Sequence, residues 1–97
     1  PIAYIIEINP DFQAQDEAVN FIGTGTDEDG NITDYRWYSS IDGLFGTLKN
    51  FNITDLQPGN HTISFQVKDN SGSWSAFDTS YVVIKFKTSC RINQFST

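Results

Sequence analysis

The residues with the most chemical potential lie in one short stretch, Asp27-Glu28-Asp29-Gly30, where three carboxylates precede a glycine. Acidic residues at alternate positions ahead of a glycine open the helix-flanked calcium loop, so hard-cation binding is the first chemistry to weigh. That loop closes on a bidentate glutamate, and Tyr38 stands at the corresponding place. Its flanks should be helices, whereas Glu17 to Gly23 and Ile32 to Tyr38 alternate apolar and polar residues as strands do. An EF-hand is excluded, and Asp27, Asp29 and Asp69 then read as turn builders whose carboxylates bond back to nearby amides.

Catalytic chemistry finds little to work with. His61 and Cys90 are the single histidine and the single cysteine, far apart in sequence, and no nucleophile–base pair is formed from them. Gly23-Thr24-Gly25 opens no helix, so it cannot turn a helix N-terminus toward phosphate. The paired carboxylates sit on one turn, not across a cleft as glycoside hydrolysis requires. The chain reads as a non-enzyme. Trp37 and Trp74 could stack on sugar rings, but Trp37 falls on the apolar face of a strand and reads as core. Trp74, in Gly72-Ser73-Trp74-Ser75, belongs to a loop and is less determined. Asn31-Ile-Thr33, Asn52-Ile-Thr54 and Asn60-His-Thr62 are sequons near turns, which suits glycosylation of an exported protein.

The elements that must position these groups are strands. Ile2 to Ile8 is β-branched and ends at Asn9-Pro10. Val19 and Phe21 share a face, as do Tyr35 and Trp37. Leu48 to Ile53 alternates less cleanly. In His61 to Lys68, Ile63, Phe65 and Val67 alternate with polar residues, the period of a half-buried strand. Thr79 to Phe86 is a near-continuous apolar run that predicts a well-buried strand. Turn-forming clusters at 27–31, 40–43, 57–60 and 69–72 punctuate these runs. No apolar pattern holds helical spacing for three turns. The expectation is an all-β sandwich of about seven antiparallel strands, with one domain over 1–87 and a linker or disordered tail over 88–97.

Composition agrees. Aromatic residues make up 14% of the 97 residues and recur along the chain, which supports a packed core. Twelve acidic residues against six basic ones give a net charge of -6, and Lys85, Lys87 and Arg91 form no patch, so nucleic acid is excluded as a partner. One cysteine closes no internal disulfide. No apolar stretch approaches the roughly 18 residues that span a bilayer, so no direct membrane insertion is expected. The chain starts at Pro1 without a signal peptide and reads as a piece of a longer polypeptide.

With the strands placed, two motifs resemble one family. Gly23-Thr-Gly-Thr-Asp27-Glu-Asp29-Gly30-Asn-Ile32-Thr-Asp-Tyr35-Arg-Trp37 resembles the PKD pattern of a strand, an acidic hairpin and the strand bearing the core tryptophan. Leu56-Gln-Pro58-Gly59-Asn-His61-Thr-Ile63-Ser-Phe65-Gln-Val67-Lys-Asp69 resembles that family's corner and the long strand after it. The resemblance covers roughly residues 2–86 and implies an immunoglobulin-like β-sandwich. Trp37-Tyr38-Ser-Ser-Ile-Asp42-Gly43 replaces the common Trp-Asp-Phe-Gly-Asp-Gly, as in variants from archaeal and bacterial surface proteins. His61 takes the place of the corner tyrosine, and the resemblance implies that its ring bonds back to upstream backbone. Similar domains of secreted hydrolases hold calcium between loops, and by position its ligands here would be Asn9, Asp27, Asp29 and Asp69. The resemblance implies an extracellular or cell-surface module, a spacer or a protein- or carbohydrate-interaction domain among other domains of the same polypeptide. A substrate-binding accessory domain of a secreted hydrolase is the alternative, gripping polysaccharide or protein. A contiguous aromatic patch around Trp74, Tyr38 and Phe45 would favour the second, a uniformly polar surface the first.

Overall fold

The computed structural model describes residues 1–28 and 30–86. Asp29 and the expected tail 88–97, with Cys90, lie outside the described residues. Eight strands follow in order: β1 (Ile2–Asn9), β2 (Phe12–Ala14), β3 (Val19–Thr26), β4 (Ile32–Ser39), β5 (Gly43–Gly46), β6 (Asn50–Ile53), β7 (Gly59–Asp69) and β8 (Asp78–Lys85). They form two sheets, β1-β3-β6 and β2-β8-β7-β4-β5, packed face to face. The chain is an immunoglobulin-like β-sandwich.

Alternation explains the core. In β3, Val19 and Phe21 point inward while Asn20 and Ile22 point out. In β7, the inward set is His61, Ile63, Phe65, Val67 and Asp69. Trp37, Phe21 and Phe65 are fully buried. The Trp37 ring stacks on Phe65 with centroids 4.1 Å apart and meets Phe21 edge-on at 5.5 Å. Its indole N–H donates to Leu48 O at 2.9 Å, so the polar end of the ring is satisfied where burial would otherwise be costly. Opposite these rings β3 carries Gly23, where a Cβ would lie 2.6 Å from Phe65 and 2.8 Å from Trp37. Gly23 therefore makes room for aromatic rings from the other sheet, and Gly25 for Val67. Asp78 Oδ2 accepts the Ile5 amide at 2.6 Å, tying β8 to β1 across the sandwich edge.

Three expectations need correction. The sequence reading missed β2 and β5, which are three and four residues long, too short to show a period. Pairing is not wholly antiparallel, because β2 runs parallel to β8. Nor is β8 well buried throughout: Val82 and Ile84 are inside, but Tyr81 is 70% exposed and only one layer covers the strand. The apolar run reflects an apolar outer surface.

The register fixes which groups share a pole. β1 starts beside the end of β3, with Ile2 opposite Thr26, and β4 and β7 meet at Ile32 and Asp69 near that same pole. β8 ends at the other pole, where Ile84 lies opposite Gly59. The first and last strands therefore open toward opposite ends of the sandwich.

Candidate functional site

The acidic pole gathers the β3–β4 turn and the β7–β8 turn. Asn70 binds both: its amide donates to Asn31 O at 2.9 Å, and its Oδ1 accepts the Asn31 amide at 3.3 Å. Asp27 and Asn70 close around Gly30, where a Cβ would collide with Asn70 Oδ1 and lie 3.3 Å from Asp27 Oδ2. Asp69 is buried, and its Oδ1 accepts from the Ser71 amide (2.9 Å), the Ser71 hydroxyl (2.7 Å) and the Ser73 amide (3.0 Å). Those donors, the Ser71 hydroxyl foremost, hold the Asp69 carboxyl at about 2, below its usual 3.8, because each bond favours the charged form.

Asn9 does not belong to this pole. It pairs with Asn20 at the start of β3, whereas Asp27 follows the end of β3 beside Ile2. Antiparallel strands place the end of one next to the start of the other, so roughly 25 Å of strand separates Asn9 from Asp27. Calcium takes roughly six to eight oxygen ligands. Of the four expected ligands, Asp27 and Asp69 are described at this pole, with Glu28 beside Asp27, and one oxygen of Asp69 already accepts three hydrogen bonds. Among the described residues no set of three metal-ligating side chains converges.

His61 is a fastener. Its ring is buried, with Nε2 2.6 Å from Gln57 O and Nδ1 2.5 Å from Ser39 Oγ. A carbonyl only accepts, so Nε2 carries the proton and Nδ1 accepts from the Ser39 hydroxyl. Ser39 Oγ in turn accepts the amides of Ile41 and Asp42 at 3.0 and 3.1 Å. Asp42 receives Gln57 N at 3.1 Å and Gln57 Nε2 at 2.7 Å. Serine, histidine and aspartate thus meet without forming a triad. Asp42 Oδ2 lies 3.9 Å from the same nitrogen that faces serine, and the hydroxyl is buried under two amides. The backbone bond expected of the corner histidine is present, and the part played by Ser39 had no sequence signal beyond a Ser-x-x-Asp turn.

The outer face of the five-stranded sheet carries an exposed cluster of aromatic and apolar side chains. Tyr38 meets Phe77 edge-on with centroids 5.7 Å apart, and Leu44 lies opposite Tyr38 on β5. Phe77 is 54% exposed and Leu44 52%. Trp74 bridges to Lys68 and is half-buried, with the Arg36 guanidinium 4.3 Å above its ring and the Lys68 ammonium at 5.5 Å. Phe45 does not join this patch. It turns inward, its centroid 5.0 Å from Phe21. Phe77, which no periodicity marks, takes its place. The three sequon asparagines, Asn31, Asn52 and Asn60, are all exposed.

A family model described as PKD domain matches residues 5–81. No curated protein sequence matches the chain significantly. Among solved structures, fibronectin(III)-like modules of Clostridium thermocellum CbhA superpose with a TM-score of 0.74 at 18% identity, covering 88% of this chain and 98% of theirs. The PKD1 domain of the Vibrio cholerae metalloprotease PrtV gives 0.68 at 20% identity, covering 88% and 96%. At such identities these two share the fold alone. A structure of carbohydrate-binding modules from the β-sandwich superfamily gives 0.73 at 26% identity, covering 89% of this chain but 35% of that one. The family match runs from the middle of β1 into β8 and takes in the acidic turn, the buried Trp37 and the His61 corner, so the chain belongs to the PKD domain family.

Proposed function

We propose that the chain is a non-catalytic module of a larger exported polypeptide, spacing its neighbouring domains. The observation that carries this is the opening of β1 and β8 at opposite poles, which lets flanking domains be threaded in line. Domains of this family are generally accessory modules, and similar folds occur in a structure of carbohydrate-binding modules and in a metalloprotease, which supports a place among other domains. Small-angle scattering of the parent polypeptide tests it. Deleting residues 1–87 should shorten the maximum dimension by about 35 Å, the length of the longest strand. An unchanged dimension would rule the spacer out.

The Tyr38–Phe77–Leu44 patch with Trp74 favours a second role, contact with polysaccharide or fibrous protein, because exposed apolar groups in one patch mark interaction sites. A Tyr38→Ala, Phe77→Ala double variant should lose retention on insoluble polysaccharide or collagen-like protein while keeping its fold. Equal retention of variant and parent would sink this role. A calcium-bound version of the module would have to draw on Asp27, Asp29 and Asp69 without Asn9.

A further inference from the structure

The outer face of the small sheet carries an arrangement that neither role uses. Register places Asn9, Asn20 and Asn52 side by side across β1, β3 and β6. The next row toward the Asp27 pole is Glu7, Ile22 and Asn50. Glu7, Asn20, Ile22, Asn50 and Asn52 line an open groove of about 300 Å³. A bulge between Ile5 and Glu7 builds it: strict alternation from Ala3 and Ile5 would turn Glu7 inward, and the extra residue sends Glu7 and Asn9 out and Ile8 in.

Asparagine is depleted in strands, since its side chain competes for backbone bonds and packs poorly on a pleated surface. Four of them on one face of three paired strands therefore oppose local propensity. Sites that break a local rule without a structural gain are where function is sought. No structural gain is visible, because among the described residues none of the amide side chains of Asn9, Asn20, Asn50 and Asn52 bonds to protein.

From these observations we infer that the Asn9–Asn20–Asn52 row and its groove bind a neutral glycan chain, separate in solution from this polypeptide. Each amide offers two donors and a carbonyl acceptor, the complement of hydroxyls that both donate and accept. Amides on adjacent strands stand about 5 Å apart and those along β6 about 7 Å, so neighbouring hydroxyl groups of a sugar chain can be met at several points. Ile22 gives the sugar's C–H face an apolar floor. Charge selects the class: no cation lines the groove, Glu7 is its one charged group, and the chain carries -6, so anionic glycans and acidic peptides are repelled.

The test uses unglycosylated, ¹⁵N-labelled protein and hexasaccharides built from glucose, mannose, xylose or N-acetylglucosamine. At millimolar concentration at least one should shift the side-chain NH₂ signals of Asn20, Asn50 and Asn52, and leave those of Asn31, Asn60 and Asn70 in place. An Asn20→Thr, Asn52→Thr variant restores strand-compatible residues. It should bind at least tenfold more weakly while melting at the same temperature or a few degrees higher. Three results overturn the inference: no shift with any of the four sugars, shifts confined to the Tyr38–Phe77 face, or undiminished binding by the threonine variant. A glycan attached to Asn52 in protein from its natural host would also overturn it, since the protein's own modification would then fill the groove.

Discussion

At the scale of single residues, two buried polar side chains hold turns that would otherwise leave amides unpaired. Asp69 gathers three donors on one oxygen, and its folded pKa of about 2 lies below the usual 3.8. A depressed carboxylate contributes stability that is whole above its unfolded value and disappears as pH falls through the folded one. The melting temperature should therefore drop between about pH 4 and about pH 2 through this group. Asp69→Asn keeps an acceptor oxygen and should flatten that slope, whereas Asp69→Ala should lower stability at every pH. His61 is the second case. Replacing it with phenylalanine fills the volume but strands the Ser39 hydroxyl and the Gln57 carbonyl. Urea unfolding should show a loss of about 1–3 kcal/mol, chiefly the cost of the buried Ser39 hydroxyl left without its acceptor.

At the scale of elements, β3 and β7 face each other across the core, and their fit rests on a missing side chain. Gly23→Ala places a methyl within 2.6–2.8 Å of the Phe65 and Trp37 rings. Rings packed on both sides cannot yield by rotating, so the variant should lose about 1–3 kcal/mol of stability. The entropy it removes from the unfolded chain returns about 0.4–1 kcal/mol at most. Denaturant titration followed by tryptophan fluorescence reads the net loss. The same elements show where periodicity is legible. β3, β4 and β7 are each eight or more residues long, and the inward faces at Val19–Phe21, Tyr35–Trp37 and Ile63–Val67 could be read directly. β2 and β5 could not, because they take their strand character from the partners they pair with.

At the scale of the whole molecule, topology decides which groups can cooperate. The acidic turns converge because β3–β4 and β7–β8 connections share a pole, and Asn9 is removed because β1 runs the other way. Calcium binding at the acidic pole is read by melting with millimolar calcium, since a ligand that binds only the folded state must raise the melting temperature. A rise abolished by Asp27→Asn would place the ion at this pole, and an unchanged melting temperature would exclude it. The same topology assigns the two faces: aromatic contacts lie on the β2-β8-β7-β4-β5 sheet, and the amide row on β1-β3-β6.

The sequence alone determined the all-β class, the family resemblance, the burial of Trp37 and the structural place of His61. Each follows from nearest-neighbour rules, namely a period of two, turn residues between runs and a motif of fixed spacing. Only tertiary structure decided that Phe77 and not Phe45 joins Tyr38, that the run Thr79 to Phe86 has one wet face, and that Asn9 stands beside Asn20 and Asn52. Those outcomes depend on register, strand direction and a bulge. They are set by pairing between residues distant in sequence, and a one-residue shift in any of them would turn the side chains to the other face.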